Sequence, residues 1–493
     1  MTAVRRALLL STADRYFTFA SNFAVAAAVS RILTPAEIGV SVVGMAILGI
    51  ALSVREFASS TFLIQREVLT REDIRASSTV MLVLTALIVA VLLAATPALV
   101  RAYGEERLGA YFHIVCASLF LDLIAIQIVS LLRREMAYVR IVIIDLAGAV
   151  VGALTTIVLA LSGFSYMSFA WAWLATSVVA GVISLAVHPQ PWIFKPCFSH
   201  WHGVVRFGGY NGGIALLYKV YDTIPYMLFG WILSPQAAAI FSRSLMICQL
   251  PNKLILGGAM SVILPAFSEQ AREGRSLKEP YLHALEIITA LYWPAFLVLA
   301  VMAEPVVQVV LGGQWHEVAP LVRVIAIASL FSFSFEVNYP VMVAMGAIRQ
   351  SFFRALATFP ASAAILIGAI LVGGLHMAAW STLFIIPFQA VVSMSFVKHR
   401  LGISHFDVLL ALWKSGVAAL ASAAGPLCIA LALGADWRLS FGHAVVAGAA
   451  ALAGWLVGLK VTKHPLLEEV AHVASAVRAN WPFRTAMTPV LEK

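Results

Sequence analysis

The chain has 493 residues, 61% of them hydrophobic and 12% charged, with a formal net charge of +9. A soluble globular domain is nearer half apolar and a quarter charged, so this chain has too little polar surface to cover itself in water. Its basic residues sit in short loops between apolar runs, with no zinc-finger spacing and no recognition helix, which argues against nucleic acid as a partner.

The N-terminus, Met1-Thr-Ala-Val-Arg-Arg, opens like a signal peptide. Asp14 and Arg15 interrupt its apolar stretch, which continues to Leu33, so it reads as an uncleaved first span. A span needs about 20 apolar residues. Such runs lie near 8–31, 38–64, 78–100, 109–132, 141–162, 165–187, 207–233, 236–267, 281–303, 319–347, 352–373, 375–397, 407–433 and 439–460. The eighth and tenth exceed what a span needs and are expected to tilt or kink, with Pro251 and Pro340 as the kink sites. Cys116, Cys197, Cys248 and Cys428 are far apart and match no metal-ligand spacing; they read as small buried hydrophobes, and no metal or cofactor is expected.

Orientation follows from Lys and Arg. One set of connections and the two termini carry 22 of the 33 basic residues; the opposite set carries only Arg31, Arg101, Arg107, Arg323 and Arg438. That asymmetry predicts an even number of spans with both termini cytoplasmic. After Lys463, Leu466, Val470, Val473 and Val477 repeat at helical spacing, which predicts an amphipathic helix on the cytoplasmic surface.

Leu33-Thr34-Pro35-Ala36-Glu37 after the first span has a counterpart 200 residues later, Leu233-Ser234-Pro235-Gln236-Ala237 after the seventh. Thr34 or Ser234 serves as an N-cap, Pro35 or Pro235 sits at the first helical position, and Glu37 completes a capping box. The shared offset predicts two parallel six-span repeats. The fold class is therefore all-α: a polytopic membrane protein of about fourteen transmembrane helices. Residues 1–198 and 199–400 are expected as two six-helix lobes, 401–463 as two additional helices and 464–493 as the tail.

Arg31-Ile-Leu-Thr-Pro-Ala-Glu-Ile-Gly39 resembles the Arg-x-Leu-x-Pro-x-x-x-Gly turn after the first span of polysaccharide-biosynthesis flippases, within the multidrug/oligosaccharidyl-lipid/polysaccharide exporter superfamily. Asp222, Leu228-Phe-Gly-Trp-Ile-Leu-Ser-Pro235 and Phe241-Ser242-Arg243 resemble that family's second-half signature, although the family commonly has Gly-Tyr where this chain has Ala239-Ile240-Phe241. The resemblance implies an inner-membrane flippase of O-antigen or exopolysaccharide type. Its substrate would be an oligosaccharide on a polyprenyl diphosphate. Its mechanism would be alternating access of two six-helix lobes, and its partners the membrane lipids with a polysaccharide polymerase and export machinery.

A charge at mid-bilayer costs about 2.5–3.5 kcal/mol on insertion scales, so each one inside a span needs an explanation. Those charges are Asp14, Arg15, Arg55, Glu56, Asp122, Asp145, Lys219, Asp222, Arg243, Lys253, Glu336 and Lys414. Arg15, Thr18 and Asn22 share one face of the first helix; Asn211, Lys219, Asp222 and Tyr226 share one face of the seventh. A diphosphate wants cations and hydrogen-bond donors. Arg15, Asn22, Arg55, Lys219, Asp222, Tyr226 and Arg243 are accordingly the expected substrate-binding residues, around a cationic cavity between the lobes. Structural pairing, Asp14 with Arg55 or Lys219 with Asp222, is the alternative. Trp231, Trp315 and Trp437, with Trp192, Trp201 and Trp413, read as interfacial belts.

An ion-coupled multidrug antiporter of the same superfamily is the rival reading, with Glu336 as its ion-coupling carboxylate. A membrane-embedded polymerase or ligase would need a sizeable external loop for its catalytic residues, and the sequence offers none. No Gly-x-x-x-x-Gly-Lys-Ser/Thr loop points to ATP.

Overall fold

The structure is a computed structural model of the chain, described for residues 2–55, 62–63, 68–199, 201–434 and 439–469. Helices and turns make up all of it, with no strand among the described residues. Hydrocarbon offers backbone groups no hydrogen-bond partner, and a helix satisfies its own.

The helices are α1 (Thr2–Ile32), α2 (Pro35–Ser53), α3 (Arg71–Tyr103), α4 (Arg107–Arg134), α5 (Tyr138–Leu161), α6 (Met167–Val187), α7 (Trp201–Leu228) and α8 (Pro235–Arg272). They continue with α9 (Lys278–Val301), α10 (Ala303–Val310), α11 (Val318–Ser329), α12 (Phe333–Ala344), α13 (Ile348–Leu401), α14 (His405–Ala432) and α15 (Phe441–Val461). Among the described residues nine helices are long and apolar enough to cross a membrane, and the bent pair α11–α12 makes a tenth. Helix α13 breaks at Gly373 and at Gly374, whose φ of 62° is left-handed, so it supplies two segments. With α1, α7 and α8, each of the fourteen predicted spans overlaps a helix among the described residues.

The chain packs as two compact units. One comprises Met1–Arg243, Val307–Val318 and Phe359–Ala378; the other comprises Ser244–Val306, Ala319–Thr358 and Ala379–Lys493.

In the first unit the two capped hairpin tips touch. Thr34 caps α2 in a full box: its N–H donates to Glu37 Oε2 at 2.8 Å, and the Glu37 N–H donates to Thr34 Oγ1 at 3.4 Å. Ser234 caps α8 through the Ala237 N–H at 3.2 Å, with no carboxylate to close the box. A Cβ on Gly39 would lie 2.0 Å from the Pro235 carbonyl oxygen, so only glycine lets the backbones approach this closely. Helix α7 continues into a π-helical turn, Phe229–Leu233, four residues after Pro225, which cannot donate to the carbonyl one turn back.

In the second unit α14 and α15 pack backbone to backbone, because a Cβ on Gly454 would lie 2.1 Å from the Ala421 carbonyl oxygen. The tenth span bends by 45°, but at residues 330–332, not at Pro340, which lies inside α12. Two serines flank the break: Ser329 Oγ returns its hydrogen to the Ile325 carbonyl at 2.7 Å, and Ser332 Oγ to the Ser329 carbonyl at 2.6 Å. Such back-bonding loosens a helix, and the Leu330 carbonyl then accepts from Trp293 Nε1 at 2.8 Å.

The chain after α15 folds back onto this unit. Leu466 is buried with Ala290, Ala418 and Leu459. His464 is 1% exposed. Its Nδ1 accepts the Leu466 N–H at 3.1 Å, which places the ring hydrogen on Nε2, 3.2 Å from Ser415 Oγ. Val470, Val473 and Val477 lie outside the described residues.

Replacing Gly39 with Ala is expected to destabilise the protein by about 1–3 kcal/mol through overpacking. Gly213→Ala, where a Cβ meets open space, should be neutral. Thermal unfolding in detergent reads the difference.

Burial, with Lys414 and His283 nearby, holds the His464 pKa below its ordinary value, and Glu286 opposes them. Protonation at Nδ1 also removes the acceptor for the Leu466 N–H. An unfolded histidine titrates near ~6.5 and binds protons more readily than this one. The docked segment is therefore fully stable above that pH and loosens as pH falls below it. Hydrogen exchange at Leu466, corrected for intrinsic rate, should speed up on acidification through this range and lose that dependence in His464→Gln.

Candidate functional site

Lys219 lies mid-way along the continuous helical run of α7 and its π turn, Trp201 to Leu233. Its long side chain crosses α2 at Gly49, where a Cβ would lie 2.6 Å from Lys219 Cε and 3.3 Å from Nζ. A larger residue at position 49 would push the ammonium aside, so the glycine makes the groove that the lysine occupies. Thr223 Oγ1 donates to the Lys219 carbonyl one turn back. Arg55 is buried just beyond the end of α2, at 6% exposure. Gly49 and Arg55 are six residues apart, roughly 9 Å of helix rise, which places two cations along one stretch of the first unit.

Asp222 is exposed, at a depth where lipid contact would be costly. It makes no ion pair with Lys219 among the described residues, although three positions separate them. Tyr226, one turn further on, lies within electrostatic reach of Asp222 and Arg243, and its ring meets Phe241 edge to face with centroids 6.4 Å apart.

Arg243 is buried at 8% exposure, and its surroundings are fully built. Its Nε donates to Ser30 Oγ at 2.9 Å, and its guanidinium carbon lies 5.9 Å from the Trp315 ring centroid. The Ser30 carbonyl accepts from Trp315 Nε1 at 2.6 Å and from Gln314 Nε2 at 2.5 Å. Gln314 Nε2 also reaches the Leu33 carbonyl at 2.9 Å, and Arg31 donates to the Val309 carbonyl. Trp315 is thus no belt residue: it is fully buried and caps the end of α1. Sequence reading missed Ser30 and Gln314, which carry no signal of their own 284 residues apart.

The remaining intramembrane charges separate by partner. Asp122 holds α6: its carboxylate accepts from Trp173 Nε1 at 3.1 Å and from Ser177 Oγ at 2.5 Å. Asp14 lies within electrostatic reach of Arg133 and Asp145. Lys414 pairs with Glu286 at 3.2 Å. In the second unit Glu336 accepts from Asn252 Nδ2 at 2.9 Å. Beside it Tyr281 donates to Asn338 Oδ1 at 2.6 Å, and Asn338 Nδ2 donates to Ser393 Oγ at 2.8 Å. Asn22 is exposed on α1; the side chains of Arg15 and Asn211, and residues Glu56 and Trp437, lie outside what the structure describes. No group of three or more metal-ligating side chains occurs among the described residues.

Of the expected set, the structure brings Lys219, Asp222, Tyr226 and Arg243 to the adjoining parts of α7 and α8, with Arg55 buried past α2. Lys219 and Asp222 are accessible; Arg243 is enclosed.

Comparison with known proteins gives consistent relatives. Residues 28–320 match the sequence profile described as polysaccharide biosynthesis protein. The succinoglycan biosynthesis transport protein ExoT of Rhizobium meliloti (strain 1021) is 22% identical over 391 residues, 78% of this chain and 77% of that protein. The lipopolysaccharide biosynthesis protein WzxC of Escherichia coli (strain K12) is 21% identical over 301 residues, 58% of this chain and 59% of that protein. In fold, the lipid II flippase MurJ in an inward closed conformation superposes with a TM-score of 0.76 at 10% identity, over 93% of this chain and all of that one. An inward-facing multidrug MATE transporter superposes at 0.62 and 17% identity, over 78% of this chain and 94% of that one. With the profile spanning more than half of its length, the chain belongs to the polysaccharide biosynthesis protein family.

Proposed function

We propose that this protein is a flippase that exports a lipid-linked oligosaccharide or polysaccharide precursor across the bacterial inner membrane by alternating access, with both termini in the cytoplasm. The observation that carries the reading is Lys219: an accessible ammonium at mid-span, seated on Gly49 and free of Asp222, in a chain of this family. A mid-membrane cation with no ion-pair partner among the described residues suits an anionic substrate, and the diphosphate of a polyprenyl-linked glycan is one. Arg55, Asp222 and Tyr226 would contribute charge and hydrogen bonds along the same stretch, with Arg15 and Asn22 from α1; Arg243 would act from its enclosed position by holding the end of α1. Each negative charge moved outward gains about 2.3 kcal/mol per 100 mV of membrane potential, so the potential alone favours export. The product would pass to a polysaccharide polymerase and export machinery.

One observation favours an ion-coupled mode, as in a multidrug antiporter. Glu336 meets a neutral amide, Asn252, and no cation among the described residues, which leaves its carboxylate able to take up a proton or a sodium ion.

Lys219→Ala should insert normally and transport about 10- to 100-fold more slowly, the effect of losing one charge-assisted hydrogen bond. Lys219→Arg separates a field effect, which it would preserve, from a shaped contact, which it would not. Normal transport by Lys219→Ala in vesicles under an imposed potential would remove the residue from the site. Transport that follows nucleotide alone would remove the energetics.

For topology, a reporter active only in the periplasm should work when fused after Thr34, Gly163 or Gly374 and stay silent after Asp73, Gly274 or Lys493. Activity at Lys493 would contradict an even number of crossings.

A further inference from the structure

Beside Lys219 and Asp222, the middle of α7 carries an aromatic group that diphosphate binding leaves without a role. Tyr221 stacks on Phe359 of α13, with ring centroids 4.0 Å apart and planes 9° apart. Tyr218 meets the same Phe359 ring T-shaped, at 5.2 Å and 81°. All three belong to the first unit. A T-shaped contact lets Phe359 cover at most one face of the Tyr218 ring, and Tyr218 is 40% exposed.

The direction of that face follows from helix geometry. Tyr218 and Asp222 are four residues apart, so they project from the same side of α7. Asp222 is exposed, and a carboxylate at this depth is stable against water or a polar ligand, not against lipid chains. Tyr218 therefore stands over the same wet space, with Lys219 at its flank.

An aromatic face beside a hydrogen-bond acceptor matches one chemistry in particular. A pyranose ring has an apolar C–H face of slightly positive edge character, which complements the negative face of an aromatic ring. Its hydroxyls are donors for a carboxylate. An organic cation could also use an aromatic face and a carboxylate. Here the neighbouring Lys219 opposes it, because its charge lies within one helical turn.

We propose that Tyr218, Tyr221 and Phe359 form a stacking platform for a pyranose ring of the translocated glycan, with Asp222 as acceptor for its hydroxyls. The inference rests on the flippase reading and adds where the sugar is held, as distinct from the diphosphate.

The test uses full-length protein in lipid nanodiscs and two probes. One is the polyprenyl-diphosphate-linked oligosaccharide fraction of the producing bacterium; the other is polyprenyl diphosphate without sugar. Tyr218→Ala should weaken binding of the glycan-bearing fraction about tenfold, the scale of one good aromatic contact. Binding of the sugar-free lipid should not change. Tyr218→Phe keeps the face and should bind both as wild type does, which also guards against misfolding as the cause. Phe359→Leu should act in the same direction as Tyr218→Ala by removing the support beneath the ring. Equal weakening for both probes, or none in Tyr218→Ala, would overturn the platform while leaving the flippase reading intact. So would tight binding of tetraphenylphosphonium that depends on Tyr218. A wild-type protein that binds neither lipid would reject the flippase reading, and the platform with it.

Discussion

In hydrocarbon a peptide carbonyl without a partner has no water to fall back on, and this constraint explains where the strongest side-chain contacts lie. Inside a helix the problem solves itself; at every end and break it does not. At the end of α1 the Thr34 N–H turns to Glu37, so the Ser30 carbonyl loses its helical donor and takes Gln314 and Trp315 instead. At the break in the tenth span the Leu330 carbonyl takes Trp293. The Met227 carbonyl, next to the π turn, takes Tyr103 at 3.3 Å; the Leu63 carbonyl takes Arg134 at 2.8 Å; and the Ala290 carbonyl takes Trp455 at 2.8 Å. Outside the spans Arg75 does the same for the loop before α7, serving the Lys195 and Pro196 carbonyls at 3.0 and 2.9 Å. These large donor side chains, among the described residues, finish backbone.

That division separates structure from function among the polar residues. Arg243, Asp122 and Lys414 looked alike in the sequence to Lys219: charges within apolar runs. Each of the three has an assigned partner: Ser30 for Arg243, Ser177 for Asp122 and Glu286 for Lys414. Lys219 and Asp222 differ because they remain accessible in mid-helix without closing a pair with each other. Glycine sets this up at a distance, since the bare backbone at Gly49 lets a lysine lie across a neighbouring helix without displacing it.

The spans were legible because hydropathy is a local property. Each predicted run overlaps a helix, and the Thr34–Pro35–Glu37 cap forms as its chemistry dictates. What a residue touches was less legible. Trp315 has the composition and placement of a belt residue, and its burial against Ser30 depends on a segment 285 residues away. Proline is the stronger breaker in general, so the pattern points to Pro340, yet the bend falls between Ser329 and Phe333, where two serines bond back to the helix. The aromatic group at Tyr218 had no sequence signal either, because Phe359 reaches it from another helix.

The cap on α1 also bears on how the protein is made. Chains enter the membrane from the N-terminus, and α1 is inserted long before residues 314 and 315 leave the ribosome. Throughout that interval the Ser30 and Leu33 carbonyls lack their final donors, and Arg243 has yet to reach the Ser30 hydroxyl. The first helix therefore spends most of biosynthesis with an unfinished end, held by its neighbours' packing and by interfacial water. It becomes a completed element only after the ninth span has delivered its trailing loop. Truncated chains that stop short of Gln314 would leave this end open and so present a recognisable target for membrane quality control.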